Sequence, residues 1–177
     1  MIEFRDNSIK LQIWDSAGQE RYKALIPSYV RGAAIVFIIY DISDQKSFLN
    51  IETWINFIKQ VNTDDSILIL CGNKNDLQRQ VSANDAKNLA QKENMFYFET
   101  SAKSGEGVNN MMYTCISFLP FFEQYKNNNS ESLIQDLMKI NGENAGKVYD
   151  VNNNARNLEK NGDISSHDIL GKDNKDN

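Results

Sequence analysis

Histidine and cysteine are scarce in this 177-residue chain. The single histidine, His167, lies in a polar stretch near the C-terminus, so catalytic triads that need an imidazole base are excluded. The two cysteines, Cys71 and Cys115, lie far apart within apolar runs. This placement predicts buried free thiols in a reducing compartment rather than a disulfide framework. Two cysteines are also too few for a cysteine-ligated metal centre.

The chain also lacks an excess of basic over acidic residues, and it lacks long apolar runs. The formal net charge is −5, which argues against nucleic-acid binding because that affinity depends on Lys and Arg neutralising phosphates. No apolar run approaches the roughly 18 residues needed to span a bilayer, and the N-terminus lacks the order of a signal peptide. The sequence therefore predicts a cytoplasmic protein that binds no nucleic acid.

Apolar residues are numerous enough for one globular domain, but they are unevenly distributed. They make up 41% of the chain, yet from about residue 125 onward Asn, Asp, Lys, Ser and Glu dominate, with asparagine triplets at 127–129 and 152–154. Such stretches bury too little surface to offset the entropy of ordering. We therefore predict one domain over residues 1–124 and a disordered, Asn-rich tail over residues 125–177.

Strand and helix patterns alternate through the predicted domain. Apolar and polar residues alternate at 9–14, which predicts a strand with unlike faces, and the apolar runs 34–40, 67–71 and 95–98 predict further strands. Helical spacing of apolar residues follows in segments around 48–58, 86–90 and 108–119. This alternation predicts an α/β fold with a mostly parallel sheet and helices on both faces.

The first loop whose residues could bind or act on a ligand follows the predicted strand 9–14, and its sequence is Asp-Ser-Ala-Gly-Gln-Glu. Ligands of open α/β sheets bind beyond the carboxyl ends of the strands. The carboxylate of Asp15 can hold Mg²⁺ directly or through water, and the backbone of Gly18 can approach a phosphate oxygen. The amide of Gln19 can orient an attacking water. Together these are the parts of a sensor for a terminal phosphate.

Two further loops suit a purine base. In the loop 72–76, Asp76 can accept two hydrogen bonds from the ring N–H and amino group of guanine, whereas adenine offers no ring N–H. Lys74 can lay its aliphatic stem over the base, and Asn73 can brace neighbouring loops. The backbone N–H groups of the loop 100–103 can face the base oxygen. The three loops, in this order and each at a strand end, are very unlikely to occur together by chance.

Residues 1–122 resemble a small GTPase of the Ras superfamily, and within it the Rab family. The stretches that resemble those separating Rabs from other Ras-like proteins are 10–14, 21–26, 29–33 and 39–43. The stretch 25–29, together with Leu119-Pro120, is similar to the Golgi-associated Rab-six subgroup. The resemblance implies a P-loop NTPase-type fold that binds GTP or GDP with Mg²⁺, hydrolyses GTP and regulates vesicle trafficking. It also implies a cytoplasmic location, peripheral at Golgi or vesicle membranes.

The resemblance assigns a role to each candidate residue. By this resemblance Asp15 is the Mg²⁺-linked switch aspartate, Gly18 contacts the γ-phosphate and Gln19 positions the hydrolytic water. The residues that would form the base pocket are Asn73, Lys74, Asp76, Ser101, Ala102 and Lys103.

The resemblance also implies protein partners. Trp14 and Tyr29 would join the aromatic cluster through which Rabs meet effectors, and the switch region would meet exchange factors and activating proteins. Residue type alone favours a different interpretation of Trp14 and Trp54, as core side chains, because large aromatics usually pack inside.

Two departures from the family pattern leave three hypotheses open. The family begins with a strand, the phosphate loop Gly-x-x-x-x-Gly-Lys-Ser/Thr and a first switch loop, and none of these is found here; the nearest substitute, at 142–148, is one residue short and follows no strand. The chain ends Asp-Asn, whereas most Rabs end in prenylated cysteines, so we expect no direct lipid anchor. The hypotheses are a Rab-type switch lacking its N-terminal part, a pseudo-GTPase acting as a nucleotide-independent interaction module, and an unrelated α/β binding domain.

Overall fold

The computed structural model describes residues 2–4, 7–16, 24–61 and 66–125. Strands and helices alternate from residue 35 onward, which confirms the predicted α/β class. In chain order the elements are β1 (Ile2–Phe4), β2 (Asn7–Ile9), α1 (Ile26–Val30), β3 (Ile35–Asp41), α2 (Gln45–Leu49), α3 (Ile51–Val61), β4 (Ile67–Asn73), α4 (Ala83–Lys92), β5 (Phe96–Glu99), α5 (Val108–Ser117) and a 3₁₀ helix (Pro120–Tyr125).

The predicted strands at 34–40, 67–71 and 95–98 form one parallel sheet in the order β3-β4-β5. Asp41, the last residue of β3, lies opposite Asn73, the last residue of β4. Glu99, the last residue of β5, lies opposite Gly72. Because the strands run in one direction and end in register, the loops that follow them meet at a single edge of the sheet.

The predicted strand at 9–14 is wrong. Asn7–Ile9 pairs antiparallel with Ile2–Phe4, and residues 10–16 have no regular secondary structure. Ile13 is 74% exposed and Trp14 is 64% exposed, so the core interpretation of Trp14 is also wrong. Alternating apolar residues form a strand when a neighbouring strand pairs with their backbone and a core covers their apolar face. In the part of the chain that the structure describes, 10–14 has neither.

Helices pack on both faces of the parallel sheet, as predicted. One buried cluster joins the sheet to α1, α3 and α4 through residues such as Ile55, Leu70 and Ala86. The second cluster lies on the opposite face, where Cys115 of α5 packs with Ile69 of β4 and with β5. Burying a side chain such as Ile or Leu contributes about 1.5–3 kcal/mol, so this packing stabilises the sheet from both faces.

Both cysteines are free and buried, which confirms the prediction made from their positions. Burial raises the pKa of the Cys71 and Cys115 thiols, because a thiolate is poorly solvated in the core. Neither thiol is therefore ionised or nucleophilic at neutral pH.

The helical pattern at 48–58 is divided between two helices. The first, α2, begins after Asp44, whose carboxylate accepts a hydrogen bond from the Lys46 N–H at 2.9 Å. It ends at Leu49; the next residue, Asn50, donates its backbone N–H to the Lys46 carbonyl, and α3 follows at once. Within α3, Ile51, Ile55 and Ile58 share one buried stripe.

Strand β3 is less covered than a strand buried on both faces would be. Ile39 is 57% exposed, and β3 pairs with β4 on one side while no other described strand pairs with its opposite edge.

None of the helices in the described ranges is both long and apolar enough to cross a membrane. Apart from Tyr125, which ends the 3₁₀ helix, the predicted tail lies outside the described residues and remains a prediction.

Candidate functional site

Two loops are joined at the carboxyl edge of the sheet: the β4 loop, residues 74–81, and the β5 loop, residues 100–107. The Thr100 N–H donates to the Gly72 carbonyl at 2.8 Å, and the Asn75 N–H donates to the Thr100 carbonyl at 3.1 Å. These backbone bonds extend the β4–β5 pairing past the ends of the strands. The two loops therefore start from fixed positions beside each other.

Side chains link the same loops a second time. The Asn73 side-chain oxygen accepts hydrogen bonds from the Ala102 N–H at 3.0 Å and from the Thr100 hydroxyl at 3.3 Å. The fully buried Ser101 donates its hydroxyl to Asp76 Oδ1 at 2.6 Å. The structure thus brings together Asn73, Asp76, Ser101 and Ala102.

The Asp76 carboxylate is ionised and has spare capacity to accept hydrogen bonds. The Ser101 hydroxyl bond lowers the pKa of Asp76, since it favours the charged form. Lys103 Nζ lies 3.9 Å from Asp76 Oδ2, on a largely exposed side chain. A carboxylate offers about four lone-pair positions, so Asp76 can also accept from two adjacent N–H donors on a ligand edge.

Lys74 has its backbone and its charged end fixed separately. Its φ of 65° lies in the left-handed region, which is uncommon for a residue other than glycine. Its Nζ lies 2.6 Å from Asp41 Oδ2, and this bond raises the pKa of Lys74. Burial raises the pKa of Asp41, but its bonds to Lys74 and Ser43 outweigh burial and bring that pKa below the ordinary value. Both partners are charged at neutral pH.

Sequence reasoning missed Asp41 as part of this region. It is the residue that ends β3, so the strand-end rule that selected Asp15 and the two base loops selects Asp41 equally well. The register places it directly opposite Asn73.

A second network that the sequence did not reveal connects the β4 loop to the end of β5. Arg79 Nη2 lies 2.6 Å from Glu99 Oε2. The Tyr97 hydroxyl donates to the other oxygen of Glu99, and it lies 3.2 Å from the Tyr40 hydroxyl. Burial raises the pKa of Glu99, but the bonds from Arg79 and Tyr97 outweigh it and keep the carboxylate ionised. The network joins the carboxyl ends of β3 and β5 to the β4 loop.

The residues predicted to sense phosphate are only partly described. Asp15 has an exposed side chain at the end of the irregular segment 10–16, whereas Gly18 and Gln19 lie outside the described residues. Among 2–4, 7–16, 24–61 and 66–125, no three His, Cys, Asp or Glu side chains cluster closely enough to hold a metal ion. The neighbouring Trp14 stacks on Tyr29, with ring centroids 5.3 Å apart and planes at 28°.

Gly107 is a position where the β5 loop should tolerate no side chain. Its φ is +74°, and an added Cβ would lie 2.5 Å from the Glu99 carbonyl oxygen. We expect Gly107→Ala to lower the free energy of unfolding by about 2–5 kcal/mol, because a left-handed backbone costs about 1–2 kcal/mol and overpacking a further 1–3 kcal/mol. Urea unfolding followed by circular dichroism measures the change.

Gly105 provides the matched control for this substitution. Its φ is +83°, yet nothing lies within 4 Å of an added Cβ. Gly105→Ala should therefore lose only the backbone contribution, about 1–2 kcal/mol. Equal losses for the two variants would show that the close approach of Gly107 to Glu99 is unimportant.

Comparisons with known proteins agree with this geometry. A model of the Ras family matches residues 1–120. The chain is 40% identical over 117 residues to the Ras-related protein Rab-4 of Dictyostelium discoideum, an alignment covering 65% of this chain and 57% of that protein. It is 42% identical over 120 residues to the Ras-related protein SEC4 of Candida albicans, covering 67% of this chain and 57% of that protein. The chain thus spans just over half the length of these relatives, and it belongs to the Ras family of small GTPases.

Proposed function

We propose that the protein is a Rab-type small GTPase whose β4 and β5 loops bind the base of GTP or GDP. The observation that carries this proposal is the ionised Asp76 carboxylate, which Ser101 holds at 2.6 Å at the carboxyl edge of a parallel sheet. The Ras-family match and the Ras-related proteins Rab-4 and SEC4 support the same assignment.

Base recognition rests on complementary donors and acceptors. Guanine presents a ring N–H and an amino group side by side, and the two Asp76 oxygens can accept from both. Adenine would leave the carboxylate with an unmatched ring nitrogen, and a site built to bond a polar group strongly rejects a ligand that lacks it. Lys74, Lys103 and the backbone N–H groups of Ser101 and Ala102 supply the remaining walls of the proposed pocket.

The proposed phosphate chemistry falls on Asp15, Gly18 and Gln19. Mg²⁺ in nucleotide sites takes one or two carboxylates, and its other ligands are water and phosphate oxygens. A single exposed carboxylate such as Asp15 fits that ligand set, directly or through water. The bound ion would neutralise charge on the phosphates, while Gly18 would contact the γ-phosphate and Gln19 would orient the attacking water.

The proposed cellular role is regulation of vesicle trafficking at Golgi or vesicle membranes, through effectors, exchange factors and activating proteins. The stacked Trp14 and Tyr29 support an effector surface here. Trp14 is 64% exposed and Tyr29 is 36% exposed, and aromatic side chains that remain exposed in a folded protein are typical of interaction sites.

The same aromatic pair favours a second candidate function, a pseudo-GTPase that binds partners without nucleotide. Trp14 and Tyr29 form this surface by stacking on each other, and neither residue belongs to the two base loops. The two candidates differ in whether nucleotide changes partner binding.

The test is nucleotide binding by the full-length protein, followed with a fluorescent GDP analogue. We expect the analogue to bind in a magnesium-dependent way and to be displaced by GTP and GDP. ATP should not displace it even at a concentration roughly 1,000-fold higher than that of GTP, because sites built around a polar contact select by 10⁴- to 10⁵-fold. Equal displacement by ATP would contradict the guanine assignment. Absence of nucleotide binding, with partner capture that depends on Trp14, would favour the pseudo-GTPase.

A further inference from the structure

Asp41 is a charged residue of the sheet edge to which the proposed function assigns no role. It ends β3, the strand on the far side of β4 from β5. Its Oδ2 lies 2.6 Å from Lys74 Nζ, the shortest contact that Lys74 makes with an acidic group in the described structure. A residue outside both base loops therefore holds the end of a side chain that belongs to one of them.

The Asp41 carboxylate is itself held in place. Its Oδ1 accepts hydrogen bonds from the Ser43 N–H at 2.8 Å and from the Ser43 hydroxyl at 2.6 Å. Its backbone N–H donates to Ser47 Oγ at 3.0 Å. The position of the carboxylate is thus fixed by the turn that leads into α2, independently of Lys74.

Lys74 is consequently anchored at both ends. The Leu77 N–H donates to the Lys74 carbonyl at 2.9 Å, and the next residue, Asn75, bonds through its N–H to Thr100. With Nζ bound to Asp41, the four-carbon stem of this half-exposed side chain has fewer accessible rotamers before any ligand arrives. Ordering a long side chain costs about 0.5–1.5 kcal/mol when it happens on binding, and a pre-ordered side chain avoids that cost.

We propose that Asp41 is a positioning residue that holds the stem of Lys74 as a flat apolar support for the bound base. This proposal rests on the proposed guanine site. Asp41 contacts no ligand and acts only through Lys74, so its effect should appear in affinity for the base and disappear when Lys74 lacks its ammonium group.

The test is a double-mutant cycle in the full-length protein with Asp41→Asn and Lys74→Met. Asparagine can still accept the two Ser43 bonds through its amide oxygen, so the turn is kept while the ion pair is lost. Methionine keeps an apolar stem without the charge. We expect Asp41→Asn to weaken the binding of both GDP and GTP, by about two- to twelve-fold for GDP. In the Lys74→Met background, the same substitution should change affinity by less than twofold.

Asp44→Ser is the matched control for charge. Asp44 lies on the same turn and caps α2, and serine can still accept the Lys46 N–H bond while removing the carboxylate. Loss of a nearby negative charge alone should strengthen the binding of anionic nucleotides, more for GTP than for GDP. Asp41→Asn removes the same unit of negative charge, so a weakening of both nucleotides in that variant, where Asp44→Ser strengthens binding, is a positioning effect.

Three results would overturn the proposal. They are unchanged affinity in Asp41→Asn, an equal loss in the Lys74→Met background, and a loss that follows the unfolding free energy rather than the ion pair. Wild-type protein that binds no guanine nucleotide would overturn the proposed function itself, and this proposal with it. Wild-type protein that binds GDP while the cycle shows no coupling would overturn the role of Asp41 alone.

Discussion

Replacing Asp76 by asparagine is expected to reverse the base preference of the protein, with a loss of guanine-nucleotide affinity on the order of 10³-fold. The carboxylate accepts from two donors at once, whereas an amide presents one donor and one acceptor. The amide donor would face the amino group of guanine without a partner. Xanthine carries a carbonyl in place of that amino group, so the variant should prefer xanthine nucleotides.

The Asp76 variant should fold normally, so a change in its base preference can be attributed to the site and not to unfolding. The asparagine oxygen can still accept the Ser101 hydroxyl bond, now 2.6 Å long. Competition of GDP and xanthosine diphosphate for a fluorescent nucleotide measures the preference. Asp85→Asn, an exposed acidic residue of α4, is the control for a change of one charge. Unchanged guanine preference in the Asp76 variant would remove the assignment of this residue to base recognition.

Replacing Gln19 by leucine is expected to leave GTP affinity intact and to lower stimulated turnover by on the order of 10²-fold or more. Glutamine has no pKa suited to general-base chemistry, so its proposed role is to orient the attacking water. Phosphoryl transfer depends mainly on positioning and electrostatic stabilisation, and leucine of similar size supplies neither hydrogen bond. The effect should therefore appear in the chemical step and not in nucleotide binding.

Single-turnover phosphate release, with and without an activating protein, measures the Gln19 effect. Gln12→Leu makes the same chemical change on an exposed residue of the segment 10–16 and should hydrolyse GTP like the wild type. Equal rates for Gln19→Leu and the wild type would end the catalytic assignment. A parallel loss of nucleotide affinity would point to damage to the fold instead.

The sequence was sufficient to predict the parallel sheet because its signals are local and strong. The runs at 34–40 and 67–71 are apolar throughout, and they form β3 and β4 within two residues of the predicted bounds. Helical spacing in α3 places Ile51, Ile55 and Ile58 on one buried stripe. These features depend on side-chain chemistry within each segment, which the sequence displays directly.

Features that depend on distant neighbours could not be predicted. The alternation at 9–14 satisfied the strand pattern, but strand formation also needs a partner backbone, and Trp14 packs on Tyr29 at the surface instead of entering the core. The contact between Asp41 and Lys74 depends on the register of β3 with β4. The register between two strands is a tertiary property, so no local sequence pattern predicts this ion pair.

The double connection between the β4 and β5 loops limits how base specificity can be altered or transferred. Asn73 accepts from Ala102, Asp76 accepts from Ser101, and the backbone of Asn75 bonds to Thr100. A substitution that reshapes one loop removes a partner from the other and leaves a buried polar group unsatisfied. Grafting this specificity onto another parallel sheet would therefore require both loops, with the two strand ends that set their spacing, to be moved as one unit.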